Sequence, residues 1–83
     1  MQNAYKNAVV WSQKNCVACN SAKSLLKAKG YTIDERIIGD GGTYTKQDLL
    51  AQLPNARSVP QIFIDGAYVG DFKDLRSFLA YEE

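Results

Sequence analysis

Gln13-Lys14-Asn15-Cys16-Val17-Ala18-Cys19 holds both cysteines of the 83-residue chain. It follows an apolar, β-branched and aromatic run, Ala8-Val9-Val10-Trp11, and precedes a run with helical periodicity, Asn20 to Lys29. A Cys-x-x-Cys at a strand-to-helix junction is the sequence form of a dithiol redox site. The reason is local. The first turn of a helix has unpaired backbone N–H groups and carries the positive end of the helix dipole, so a thiolate placed there is stabilised as an anion. A residue three positions on lies one turn up the same face, within disulfide reach. A bridge across so short a segment closes almost no loop and adds little chain-entropy stabilisation. Chemistry is therefore a better reason for the pair than stapling.

Composition narrows the chemistry. Lys and Arg total 10 against 9 for Asp and Glu, and histidine is absent. A near-neutral chain with no basic stripe argues against a nucleic-acid partner. No apolar run approaches the roughly 20 residues that span a bilayer, and Met1 to Asn7 is polar, without a secretory core, so no membrane role is expected. The expected compartment is a reducing cytoplasm, where a cysteine pair serves catalysis or metal binding more often than structure. Without histidine, thiols, carboxylates, amines and backbone must supply the chemistry. Two cysteines fall short of the four ligands of a zinc site, so no metal is expected. The length predicts one domain, residues 1–83, acting as a monomer.

The rest of the chain supplies a frame for the pair. Val9-Val10-Trp11 predicts a buried strand, beginning as early as Lys6 or Asn7. Asn15 or Cys16 is placed to cap the following helix. Ala18, Ala22, Leu25 and Leu26 make its apolar stripe, and Gly30 suits the left-handed residue that ends it. Tyr31 to Ile38 alternates well enough for a second strand, and a strand–helix–strand unit of this length implies parallel pairing. Gly39-Asp40-Gly41-Gly42 is a loop; it lacks the Lys-Ser/Thr ending of a phosphate-binding loop. Thr43 or Thr45 opens a second helix with Leu49, Leu50 and Leu53 as its stripe, ended by Pro54 and Asn55. Val59 to Ile64, Asp65-Gly66 and Ala67 to Gly70 form the clearest hairpin, since Asp-Gly between apolar runs favours a type I′ turn. Asp71 caps a last helix with Asp74 at its third position and Phe72, Leu75, Phe78 and Leu79 as its buried face, and Tyr81 to Glu83 is expected to fray. Trp11 and Tyr31 are expected in or near the core. The order β-α-β-α-β-β-α predicts an α/β fold of thioredoxin type, a four-stranded mixed sheet with three helices on its two faces.

Three blocks in order resemble the glutaredoxins: Trp11-Ser12-(x)3-Cys16-x-x-Cys19 with Ala22-Lys23-x-Leu25-Leu26; Ser58-Val59-Pro60-Gln61-Ile62-Phe63-Ile64; and Val69-Gly70-(x)3-Asp74-Leu75. The Cys-Val-x-Cys form and the short length are similar to the small dithiol glutaredoxins of bacteriophages. The resemblance implies a glutathione-dependent thiol-disulfide oxidoreductase that reduces protein disulfides and glutathione mixed disulfides, with ribonucleotide reductase as a partner. It implies that Cys16 is the nucleophile and Cys19 the less accessible, less acidic thiol. It implies a cis peptide before Pro60, the tripeptide's cysteine residue paired with the Val59 backbone, and Ser58 in a position usually held by threonine. Its γ-glutamyl carboxylate would take N–H groups near Phe72 and Lys73, its ammonium would meet Asp74, and its glycine carboxylate would meet Arg57. Lys14 would stand in for the family's usual lysine, replaced here by Gln13. Val17-Ala18 replaces the usual Pro-Tyr, and Asp71 replaces a second glycine after Gly70, where its carboxylate would compete for the same helix N–H groups. Two other roles are compatible with the resemblance: an electron donor reduced by thioredoxin reductase, and a carrier of a glutathione-ligated [2Fe–2S] cluster.

Overall fold

A computed structural model describes residues 6–39 and 41–80. The expectations for Met1 to Tyr5, for Asp40 and for the fraying Tyr81 to Glu83 lie outside the described residues. The elements are β1 (Asn7–Ser12), α1 (Val17–Ala28), β2 (Thr32–Ile37), α2 (Lys46–Gln52), β3 (Gln61–Ile64), β4 (Ala67–Gly70) and α3 (Phe72–Ala80). The sheet order is β2-β1-β3-β4. β1 runs parallel to β2 and antiparallel to β3, and β3 pairs antiparallel with β4. The mixed four-stranded sheet with three helices is the fold expected from the order of elements.

Local signals in the sequence account for the element ends. The last turn of α1 closes with Gly30 N–H on the Lys27 carbonyl (3.0 Å) and Tyr31 N–H on the Leu26 carbonyl (3.0 Å), the double closure that ends many helices, with Gly30 at φ +86°. Thr45 caps α2 reciprocally: its Oγ1 accepts from Asp48 N–H (3.1 Å), and the Asp48 carboxylate accepts from Thr45 N–H (2.8 Å). A cap of this kind is worth about 1 kcal/mol. Asp65 and Gly66 have φ +49° and +87°, the sign that a type I′ hairpin turn requires at both positions.

Burial of one sheet face sets the position of α1 and α3. Ala8 pairs with Ile64 and Val10 with Ile62, so these four side chains share a face. Ala22 and Leu26 of α1 and Leu75 and Leu79 of α3 complete that core, with Tyr31 at its margin. Fully burying a leucine such as Leu26 or Leu75 contributes about 1.5–3 kcal/mol. Two expected core positions are corrected. Ala18 is exposed. With α1 starting at Val17, Cys19, Ala22 and Leu26 point inward, and Ala18 lies about 100° away from Cys19 around the axis. Phe78 is also exposed, because Leu75 and Leu79 define the buried stripe of α3 and Phe78 falls one position off it. Trp11 lies on the other sheet face, buried, with its ring edge on Tyr44 just before α2 (centroids 5.3 Å apart) and the Arg36 guanidinium against both rings.

One polar group stands under α1. The pairing of Val10 with Glu35 turns the Glu35 carboxylate toward the helix. There it accepts from the fully buried Ser12 hydroxyl (2.7 Å) and from Lys23 Nζ (2.6 Å), tying β1, β2 and α1 together. The Lys23 hydrogen bond is the main cause that holds the Glu35 carboxyl below its ordinary value of 4.5, against a smaller opposing effect of burial. A lowered folded-state value means that the stabilisation is complete above pH 4.5 and is lost as pH falls through the folded value. Glu35→Gln should therefore lower stability at pH 7, and its deficit relative to the wild type should shrink as pH falls below 4.5. Denaturant titrations of both proteins across the acid range check this.

Candidate active site

The end of β1 delivers the chain to the cysteine pair. Ser12 is the last residue of the strand, and Asn15 adopts φ +58° in the turn that follows. Asparagine tolerates this left-handed conformation better than most residues. Cys16 then takes an extended backbone and acts as the N-cap of α1. Of the two capping candidates, Asn15 thus makes the turn and Cys16 makes the cap. The Cys16 sulfur accepts a hydrogen bond from Cys19 N–H at 3.1 Å, which places it on an otherwise unpaired amide of the first turn. Cys16 and Cys19 are joined as a disulfide with Cα atoms 5.2 Å apart, within the usual range for a bridged pair. Their surroundings differ: Cys16 is half-buried, whereas Cys19 is 1% exposed. Val17, between them, is 79% exposed. An incoming sulfur can reach the first cysteine and not the second.

Register brings two further segments to this end of the sheet. Trp11 pairs with Gln61, so Val59 and Pro60 lie beside the end of β1; Ile62 pairs with Gly70, so Asp71 and the start of α3 lie there too. The Val59–Pro60 peptide is cis, Pro60 is buried and Val59 is half-buried. Arg57 and Ser58 are exposed, and with Val59, Gln13, Leu49 and Leu50 they line a cavity of about 180 Å3. Lys14 goes elsewhere. Its end rests on the glycine loop, where a Cβ on Gly41 would meet Lys14 Cε and Nζ at 2.7 and 2.8 Å.

At the start of α3 the chain caps itself. The Asp71 carboxylate accepts from Asp74 N–H (3.0 Å), and the Asp74 carboxylate accepts from Asp71 N–H (3.3 Å). Asp71 therefore lies over the turn that carries the Phe72 and Lys73 N–H groups. Lys73 is exposed, and Phe72 packs on the core with the Arg76 guanidinium 6.0 Å from its ring centre. Gly70 is required by the close approach of that cap: a Cβ there would collide with the Asp74 side chain.

A supporting contact goes unnoticed in the sequence. Gln61 is buried; its amide donates to the Ser58 carbonyl (2.8 Å) and accepts from the Tyr68 hydroxyl (2.6 Å). It fixes the Ser58-Val59-Pro60 segment to β4. Burial, followed by the charges of Asp74 and Asp71, pushes the Tyr68 phenol up, which keeps it a donor. The one sequence signal is a polar Gln inside an otherwise apolar strand, since a buried amide needs partners.

A family model described as Glutaredoxin matches residues 8–69. Glutaredoxin 3 of Escherichia coli strain K12 is 33% identical over 69 residues, covering 83% of this chain and 81% of that protein. The solution structure of the dithiolic glutaredoxin 2-C-Grx1 of Trypanosoma brucei brucei matches with a TM-score of 0.76 at 28% identity, over 93% of this chain and 80% of that one. Buckwheat glutaredoxin in its glutathione complex matches with a TM-score of 0.73 at 25% identity, over 90% and 69% of the two chains.

The left-handed turn before the sulfur gives a direct test. Asn15→Val puts a β-branched side chain at φ +58° and should cost about 1–2 kcal/mol, while Asn15→Gly should be nearly neutral. Thermal unfolding of the two variants measures the difference.

Proposed function

The chain belongs to the glutaredoxin family, and from that premise we propose a glutathione-dependent thiol-disulfide oxidoreductase acting on protein disulfides and glutathione mixed disulfides. The observation that carries this reading is the half-exposed Cys16 sulfur on the Cys19 N–H, bonded to a buried Cys19. In the reduced protein the helix dipole and that amide favour the Cys16 thiolate over the thiol. The thiolate attacks one sulfur of a substrate disulfide; that S–S bond breaks, and the leaving thiolate takes a proton. Cys19 then attacks the Cys16 sulfur, releasing the second substrate thiol and forming the Cys16–Cys19 disulfide. One glutathione thiolate opens this disulfide at Cys16, and a second releases the mixed disulfide as oxidised glutathione. One substrate disulfide is reduced for each pair of glutathiones oxidised.

In this reading Val59 and cis-Pro60 offer backbone to the tripeptide, Ser58 and Arg57 flank it, and Phe72, Lys73 and Asp74 receive its γ-glutamyl end. Lys14, whose end rests on the glycine loop, stands apart from these groups. The short chain and its Cys16-Val17-Ala18-Cys19 form support a place beside the dithiol glutaredoxins of bacteriophages, with ribonucleotide reductase among its disulfide partners. A reducing cytoplasm suits a pair that must be re-reduced in every cycle.

Two measurements test the proposal. In a glutathione-coupled assay Cys16→Ser should be inactive, whereas Cys19→Ser should keep turnover of glutathione mixed disulfides and lose turnover of protein disulfides. Equal survival of the two variants would overturn the assignment. The reciprocal Asp71–Asp74 cap favours a second reading, reduction by thioredoxin reductase, because it places the chain's own carboxylate, held on Asp74 N–H, at the helix start where a γ-glutamyl carboxylate would have to sit. Asp71→Gly costs only a few tenths of a kcal/mol as a cap. It should lower the apparent KM for glutathione several-fold; an unchanged KM would show that Asp71 does not compete for that site, whereas wild-type turnover with thioredoxin reductase and none with glutathione would establish the second reading.

A further inference from the structure

β4 is an edge strand: it pairs with β3 on one side and with no other strand among the described residues. Beside that edge, between β4 and the outer side of α3, runs a groove of about 540 Å3. Its lining is largely apolar, with Ile64, Ala67 and Val69 from the hairpin and the exposed Phe78 from α3. Tyr68, also exposed, borders it from the other sheet face, where its ring packs on Phe63. These are two of the three large hydrophobic side chains that stand exposed among the described residues. The third, Val17, sits at the cysteine pair. An unpaired backbone edge with an exposed ring on each side of it is a surface to which an extended segment can add as a further strand, its alternate side chains reaching both faces.

Charge identifies the occupant. The ionised side chains lining the groove are Asp65 and Asp74, with no lysine or arginine among them. Both ion pairs of the described residues, Lys23–Glu35 and Arg36–Asp34, lie elsewhere. Arg76, the arginine of α3, is turned to the opposite side of its helix, with Leu25 and Lys29. Among the described residues, Asp65 and Asp74 accept from the backbone N–H groups of Asn7 and Asp71 and form no ion pair, so their charges are left for an outside cation. A strand added beyond β4 lies three strand spacings, about 14 Å, from β1, and the Gly70 end of β4 is the end where Cys16 emerges, so a few residues of the segment continuing past Gly70 span the gap.

We propose that the β4 edge groove is a docking site for an extended, cationic-apolar segment of the disulfide-bearing protein, held by strand addition and by Asp65 and Asp74, so that its disulfide falls at Cys16. This rests on the oxidoreductase reading and adds to it a partner class. A small disulfide has nothing to place in the groove, so the site distinguishes protein substrates from small ones.

The test uses the full chain with two short peptides, each bearing one cysteine as a mixed disulfide with 2-mercaptoethanol. One alternates lysine with valine, the other glutamate with valine. Hydroxyethyl disulfide serves as the substrate without a peptide. The lysine–valine peptide should have a KM lower than its glutamate counterpart by roughly two- to fivefold, the worth of an exposed charge contact. Ser77→Lys, which puts a cation in the groove, and Asp65→Asn, which keeps the side chain and removes its charge, should each raise that KM by a similar factor. Turnover of hydroxyethyl disulfide should be unchanged in both. In NMR titrations the amides of Ala67 to Gly70 should shift with the lysine–valine peptide. Equal KM values for the two peptides, indifference to Ser77→Lys, or shifts confined to other strands would overturn the proposal. So would a concentration-dependent dimer dissolved by Phe78→Ser, which would give the groove to a second copy. Should the wild type fail on hydroxyethyl disulfide, the oxidoreductase reading is what falls, and the amide shifts still judge the groove.

Discussion

The hydrogen bond from the Cys19 amide to the Cys16 sulfur is the contact that the rest of the molecule holds in place. It exists only while α1 begins at Val17, and α1 begins there because Ala22 and Leu26 are buried against Val10 and Ile62 while Asn15 turns the chain into the cap. A twelve-residue helix alone is marginal in water. The apolar core is thus what keeps an array of amides pointed at one sulfur. Packing energy is converted into a local electrostatic bias, and no charged neighbour has to be recruited for it.

The three helices show how the same physical problem admits different answers. α2 closes its open amides with Thr45 and Asp48, and α3 closes them with Asp71 and Asp74. Both use oxygen atoms that do no chemistry there. α1 closes its amide with a sulfur of the cysteine pair. Under the proposed function, the contact that caps this helix is also the one that would favour the Cys16 thiolate. At α3 the reverse holds: a well-made cap stands where an anionic ligand would otherwise find free donors.

Much of this was legible in the sequence because its signals are local. The cysteine spacing, Gly30, Thr45, Asp65-Gly66 and Asp71 with Asp74 each act within a few residues, and each lies in the structure where its chemistry points. Of the stripe expected on α1, Ala22, Leu25 and Leu26 hold and Ala18 gives way to Cys19, because both are small and apolar and periodicity over one turn does not separate them. Phe78 counted as core because its apolar character said nothing of which side of α3 the sheet would cover. The Ser12–Glu35–Lys23 cluster joins residues 23 and 12 positions apart, and Gln61–Tyr68 joins two strands; both depend on register, which becomes readable only once the strands are paired.

The bonded cysteines lie on a single turn, with Cα atoms 5.2 Å apart. Residues three apart in an α-helix stand about 5 Å apart, and the extended Cys16, one step before the helix, keeps that spacing to Cys19. The bridge thus spans a gap that an ordinary helix start already provides, and the cap needs no unusual backbone to bring its two sulfurs together. Where the clasp lies within one turn, the scaffold around it has no distance to make up.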